Sequence, residues 1–134
     1  MAFFRSIEQS RKLPSPAAAA DLFGYTLRNH AHEHLLLACL DDDMRMLGLF
    51  MLGSDMSNSV TGSLRDIVVE ILASRATCVI LAHNHPSGDI RPSQTDINTT
   101  RSLMRILHPL SIRLQDHLIL SGDRWSSMRG LGLL

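Results

Sequence analysis

Lysine is almost absent from this sequence: Lys12 is the only one, and arginine supplies the rest of the positive charge. Basic and acidic side chains number 13 each, so the formal net charge is zero. A neutral chain has no global field to draw it onto nucleic acid or an acidic membrane, although arginines can still cluster locally. Aromatic residues are also scarce, at 4% against 45% hydrophobic residues overall, so the core has to be aliphatic. The two cysteines, Cys39 and Cys78, each sit inside an apolar run and lack the C-x-x-C spacing of a zinc or redox site. They read as buried thiols of a reducing compartment. No apolar stretch reaches the length of a transmembrane helix. The opening MAFFRSIEQSRKLPSP lacks the apolar centre of a signal peptide and carries Glu8 early. The expected location is the cytoplasm, with no membrane partner.

What remains is an ordinary α/β chain of 134 residues, a length suited to one domain. At that size roughly two-thirds of the unfolded surface can be buried without a disulfide or a structural metal. Residues 1–14 show no sustained periodicity and read as a flexible N-terminal arm, with the domain spanning 15–134. Ser15-Pro16 is an N-cap followed by proline in the first helical turn, and the alanine run carries that helix to about Arg28. EHLLLACL and MRMLGLFMLG flank Asp41-Asp42-Asp43, the pattern of a β-hairpin, and their near-continuous hydrophobicity predicts a sheet covered on both faces. Ser63, with Asp66 three residues on, marks the start of a second helix. TCVILAH is a β-branched strand, NHPSGDIRP a loop, and Ser93 opens a third helix with Ile97, Leu103, Met104 and Ile106 as its buried residues. Pro109 ends that helix; IRLQDHLIL is a strand, and Gly122-Asp123 turns into RWSSM. The fold class is therefore α/β, a mixed β-sheet flanked by helices.

The chemistry concentrates in LAHNHPSGDIRPSQTD. His83 and His85 stand two apart at the end of a strand, where alternate side chains share a face and both imidazoles can converge. Asp96, in the first turn of the following helix, can supply a carboxylate beside them. Two His and one Asp hold zinc with a fourth position open, the arrangement of a catalytic rather than a structural site. Hydrolysis then needs a proton acceptor and a donor for the oxyanion. Ser93 is a candidate donor, although S-x-x-D is equally a helix-start signature. Glu33, before the first apolar strand, is a candidate base that spacing alone does not bring to the metal.

H-x-H followed by seven residues, Ser, two residues and Asp resembles the JAMM (MPN+) metalloprotease motif, matched at His83, His85, Ser93 and Asp96. HNHPSGD, then PSxxD, then Asp116-His117 before an apolar strand, is similar to the bacterial RadC-like branch of that family, from roughly Glu33 to Gly130. The resemblance implies a JAB/MPN, cytidine-deaminase-like architecture. It also implies zinc (Zn2+) on His83, His85 and Asp96, Ser93 assisting the water or oxyanion, and Glu33 as the catalytic glutamate. The implied activity is that of a zinc metallopeptidase or isopeptidase on a peptide or protein substrate. Two alternatives are a DNA-repair-associated accessory protein, as the RadC label suggests, and a metal-binding scaffold without activity. Two features depart from the branch: no N-terminal helix-hairpin-helix region is read here, and Leu64-Arg65-Asp66 stands where the family has a sequence close to Pro-Arg-Glu.

Bland readings apply to the remaining candidates. His30, His32 and His34 flank Glu33 like a metal tract but read as surface histidines. Asp89 serves the turn through its short side chain, Asp116-His117 supports the site or the structure, and Met44, Met46 and Met51 belong to the core. His83-Asn84-His85 is not an HNH nuclease motif, whose residues are spread over a longer finger. Deamination is disfavoured because H-x-E…P-C-x-x-C is missing. Zero net charge predicts that the isolated chain binds DNA weakly and without sequence preference. A titration against duplex and single-stranded DNA at physiological salt should show no tight complex; nanomolar affinity with a steep salt dependence would require several phosphate contacts and overturn this expectation.

Overall fold

A computed structural model describes residues 11–28, 30–52 and 60–134, with the side chains of residues 60–63 left undescribed. In chain order the elements are α1 (Pro16–Leu27), β1 (Leu35–Leu40), β2 (Met46–Leu52), α2 (Val60–Ser74), β3 (Cys78–Asn84), α3 (Gln94–Leu107), a short 3₁₀ turn (His108–Leu110), β4 (Arg113–Ser121) and β5 (Arg124–Ser127). The five strands form one sheet in the order β2-β1-β3-β4-β5. Only the β3/β4 pair is parallel; β1/β2, β1/β3 and β4/β5 are antiparallel. The mixed sheet expected from the hairpin is thus present.

Strand periodicity sorts the apolar residues onto two faces. Leu36, Ala38 and Leu40 of β1, with Ile80 and Ala82 of β3, pack with Ala19, Leu22 and Phe23 of α1. Leu37, Cys39, Val79 and Leu81 face the other way, against Ile67 and Ile71 of α2 and Leu103 and Leu107 of α3. Both cysteines are free and buried, and burial raises both thiol pKa values, Cys39 to about 12. Neither is a thiolate at neutral pH. Met46 is buried, and Met44 and Met51 pack against the α1-side core.

Helix α1 begins as expected, Ser15 Oγ accepting the Ala18 N–H at 3.1 Å with Pro16 in the first turn. Three expectations need correction. Helix α2 starts at Val60, so Ser63 lies inside it rather than capping it; Gly62 costs a helix only about 1 kcal/mol and does not stop it. On α3, Ile106 is 40% exposed, while Thr100, Leu103 and Leu107 are its buried residues. The inward stripe follows i, i+3, i+7 from Thr100 and leaves Ile106 on its flank.

The third correction concerns the arm expected over residues 1–14, which does not stay loose to its end. Residues 1–10 lie outside the described residues, but Leu13 is fully buried in the α1-side core, its N–H donating to Met44 O at 2.9 Å, and Lys12 bridges Arg45. One leucine with no periodic neighbours is a weak sequence signal, yet it closes the core beneath the β1–β2 turn. Leu13→Ala should cost about 2–5 kcal/mol of unfolding free energy, the range for truncating a buried leucine. Urea unfolding of the full chain measures this; a change under 0.5 kcal/mol, the usual scale of surface substitutions, would show that the arm is not part of the core.

Candidate metal centre

The site forms where β3 ends and α3 begins. His83 continues the inward side of β3 toward α3, and His85 follows the strand, its N–H held by Leu120 O at 2.8 Å. The chain then swings through Pro86-Ser87-Gly88, with Gly88 at φ +93°, a conformation glycine adopts without strain. Asp89 closes the loop as expected: its carboxylate accepts the Arg91 N–H and pairs with the Arg91 guanidinium at 2.8 Å, which holds its pKa down at about 2.

Ser93 then caps α3. Its Oγ accepts the Asp96 N–H at 3.0 Å, and the Asp96 carboxylate accepts the Ser93 N–H at 2.7 Å, a reciprocal capping box. This aims the carboxylate back at the strand end. Asp96 Oδ1 lies 3.4 Å from His83 Nε2, Asp96 Oδ2 lies 3.4 Å from His85 Nε2, and the two Nε2 atoms are 2.8 Å apart. His83, His85 and Asp96 therefore meet as the sequence predicts, their side chains 9%, 11% and 17% exposed. Among the described residues this is the group of three His, Cys, Asp or Glu side chains whose ligand atoms converge.

The partners of the far ring nitrogens determine which lone pairs face the centre. Thr100 Oγ1 donates to the Asp96 carbonyl at 2.6 Å, so it accepts from His117 Nδ1–H at 2.7 Å. His117 Nε2 is then an acceptor and takes the His83 Nδ1–H at 2.9 Å. His85 Nδ1–H donates to the Asp89 carbonyl at 2.6 Å. Each outer N–H is spoken for, and two Nε2 lone pairs converge beside a carboxylate. Lone pairs so close repel unless a cation lies between them, and a nitrogen–oxygen donor set of this kind suits a divalent transition metal. Burial keeps both inner imidazoles neutral: it lowers the His83 pKa to about 4, against the raising influence of Asp96, and pushes His117 well below the usual value.

Two further residues support the triad, and the sequence points to one of them. His117 was expected to support the site or the structure, and the fold assigns it to the site, at His83. Thr100 had no signal beyond being a polar residue on the inward stripe of α3. Asp116 is buried and anchors the segment: its carboxylate accepts the His117 N–H at 2.8 Å, the Arg129 N–H at 3.1 Å and the Ser127 hydroxyl. Glu33 lies in the segment before β1 and lines an open cleft of about 480 Å³ together with His85, Ser93 and Asp96. The fold thus places Glu33 on a cleft that two of the three converging side chains also line. His30, His32 and His34 contribute no side chain to the triad; the His30 and His34 rings meet at a tilt of 55° with centroids 4.5 Å apart.

A mixed sheet between helices, with a His-His-Asp group able to hold a metal at a strand end, defines a metal-site domain of the JAB type. The chain belongs to the RadC-like JAB domain family, whose model matches residues 13–133. It is 37% identical over 126 residues to a UPF0758 protein of Bordetella petrii, covering 94% of this chain and 56% of that protein. It is 34% identical over 131 residues to a UPF0758 protein of Clostridium acetobutylicum, covering 98% and 57%. A UPF0758 protein of Cupriavidus pinatubonensis is 38% identical over 129 residues, covering 96% and 57%. The chain spans little more than half the length of these curated relatives. Among the described residues no helix is long and apolar enough to cross a membrane.

The Thr100–His117–His83 chain generates a prediction. Thr100→Val keeps the volume of a fully buried residue but removes the acceptor for His117. Affinity for an added divalent transition metal, measured by competition with a chromogenic chelator, should fall about 10–100-fold, the usual effect of disturbing the hydrogen bonds behind a ligand. Unchanged affinity would mean that the ring orientation of His83 does not depend on this chain.

Proposed function

We propose that this domain is a zinc-dependent hydrolase acting on a peptide or isopeptide bond. The observation that carries the reading is the convergence of His83, His85 and Asp96 beside a cleft that His85 and Asp96 line together with Glu33 and Ser93. Zinc bound there would supply Lewis acidity, lowering the pKa of a water from roughly 15.7 to about 7. The protein's own groups have the complementary tasks.

The Nδ1–H groups of His83 and His85 are committed to His117 and Asp89. Proton transfer therefore falls to Glu33, a carboxylate on the open side of the cleft. It accepts a proton from the attacking water and returns it to the departing amine nitrogen, so that hydroxyl ends on the carbonyl carbon and hydrogen on nitrogen. Ser93 Oγ accepts the Asp96 N–H and keeps its own proton for the oxyanion that develops on the attacked carbonyl. A second groove, of about 720 Å³, meets the first at His85 and is lined by Tyr25 and Trp125. Two clefts joined at the reacting point suit a chain that continues on both sides of the cleaved bond.

Glu33→Gln preserves size and polarity but cannot take a proton. It should keep fold and zinc while losing about 10²–10⁴-fold in hydrolysis. His85→Ala should lose metal and activity together. Peptide and isopeptide-linked libraries supply the substrate for both assays. Wild-type rates in Glu33→Gln on a confirmed substrate would remove Glu33 from the mechanism; loss of zinc in that variant would make it a ligand. A zinc-loaded wild type that cleaves nothing in either library would favour the scaffold reading.

A further inference from the structure

A general base works only when held within hydrogen-bond reach of the proton it takes. Among the described residues, the Glu33 carboxylate has no hydrogen-bond or ion-pair partner of its own. Its position is therefore set by the backbone on either side of it. That backbone, residues 30–34, belongs to no helix or strand, so its polar groups need partners from elsewhere.

The partner is Asn84, the residue between the two histidines. Strand alternation turns its side chain to the opposite face of the sheet from His83, the α1 side, where residues 30–34 pass. Asn84 is 7% exposed, and its amide is fully engaged. Oδ1 accepts the His34 N–H at 2.7 Å, while Nδ2 donates to the His32 carbonyl at 3.0 Å and the His30 carbonyl at 3.5 Å. The two closest of these groups belong to the residues immediately before and after Glu33. A primary amide offers one acceptor and two donors on a short stem, which is what two carbonyls and an N–H require; aspartate lacks the donors.

We propose that Asn84 is a positioning residue for Glu33: its amide clamps the backbone on both sides of the glutamate and fixes the carboxylate over the cleft. The strand end thus serves two purposes with consecutive residues. His83 and His85 present ligand atoms to one face, and Asn84 ties down the proton acceptor's segment from the other. This inference rests on the reading of Glu33 as the base.

The test uses the full chain loaded with cobalt(II), whose visible spectrum reports the ionisation state at the metal without any substrate. Asn84→Ala and Asn84→Asp should bind cobalt with wild-type stoichiometry, since the ligands are untouched. Glu33→Gln should move the pH midpoint of the spectrum. Both Asn84 variants should move it in the same direction, and the double variant Glu33→Gln/Asn84→Ala no further than Glu33→Gln alone. Amide hydrogen exchange should show His34 protected in the wild type and unprotected in Asn84→Ala, with the β3 amides unchanged. On a confirmed substrate kcat should fall about 10²-fold at constant KM, the effect of misplacing a reacting group by an ångström. A midpoint moved by Glu33→Gln but not by either Asn84 variant, or shifts that simply add, would overturn the proposal while leaving Glu33 as base. An unprotected His34 amide in the wild type would overturn the clamp itself. A midpoint unmoved by Glu33→Gln would remove the base, and with it the positioning role.

Discussion

The parallel pairing of β3 with β4 is the constraint on which the site depends. Parallel neighbours need a crossover, and α3 makes it, so the end of β3 and the first turn of α3 are joined by only a short loop. Ligands from a strand end and from a helix start are then brought together by one connection. The same pairing lays His117 of β4 beside Leu81 of β3, one alternate residue from His83 on the face that α3 covers. Had β4 run antiparallel, the contact between His83 and His117 would not follow in this register.

From that pairing comes a closed circuit of hydrogen bonds. It runs from His83 to His117, on to Thr100, and back to the main chain of Asp96, itself a member of the triad. Such a circuit is costly if incomplete, because a buried polar group without a partner keeps the whole penalty of losing water. Among the described residues, every buried side-chain nitrogen or oxygen has a partner. The triad is therefore stiffened by groups that never touch a cation, and Asp116 extends the same order to the segment beyond β5.

Much of this was legible in the chain. Unbroken apolar runs such as LLLACL announce strands buried on both faces, and H-x-H followed by S-x-x-D gives spacing that only a strand end and a helix start can use. What stayed hidden depends on distance through space. Nothing in His30, His32 or His34 says that the main chain around Glu33 is tied to a side chain 50 residues away. Leu13 carries no periodicity, so its burial emerges only once the β1–β2 turn offers it a place. Ile106 and Ser63 mislead for the opposite reason: local pattern suggests a buried residue and a helix start, and the actual helix phase and length override both.

The capping box at Ser93 and Asp96 gives one carboxylate two employers. The helix asks only for an acceptor at that oxygen, which a neutral amide also provides, whereas a cation asks for negative charge. Architecture and chemistry thus make separable demands on a single side chain. An Asp-to-Asn exchange there would leave the helix start satisfied and the cation poorly held. One side chain can therefore lose its capacity to hold a cation while the helix that carries it still starts in the same place.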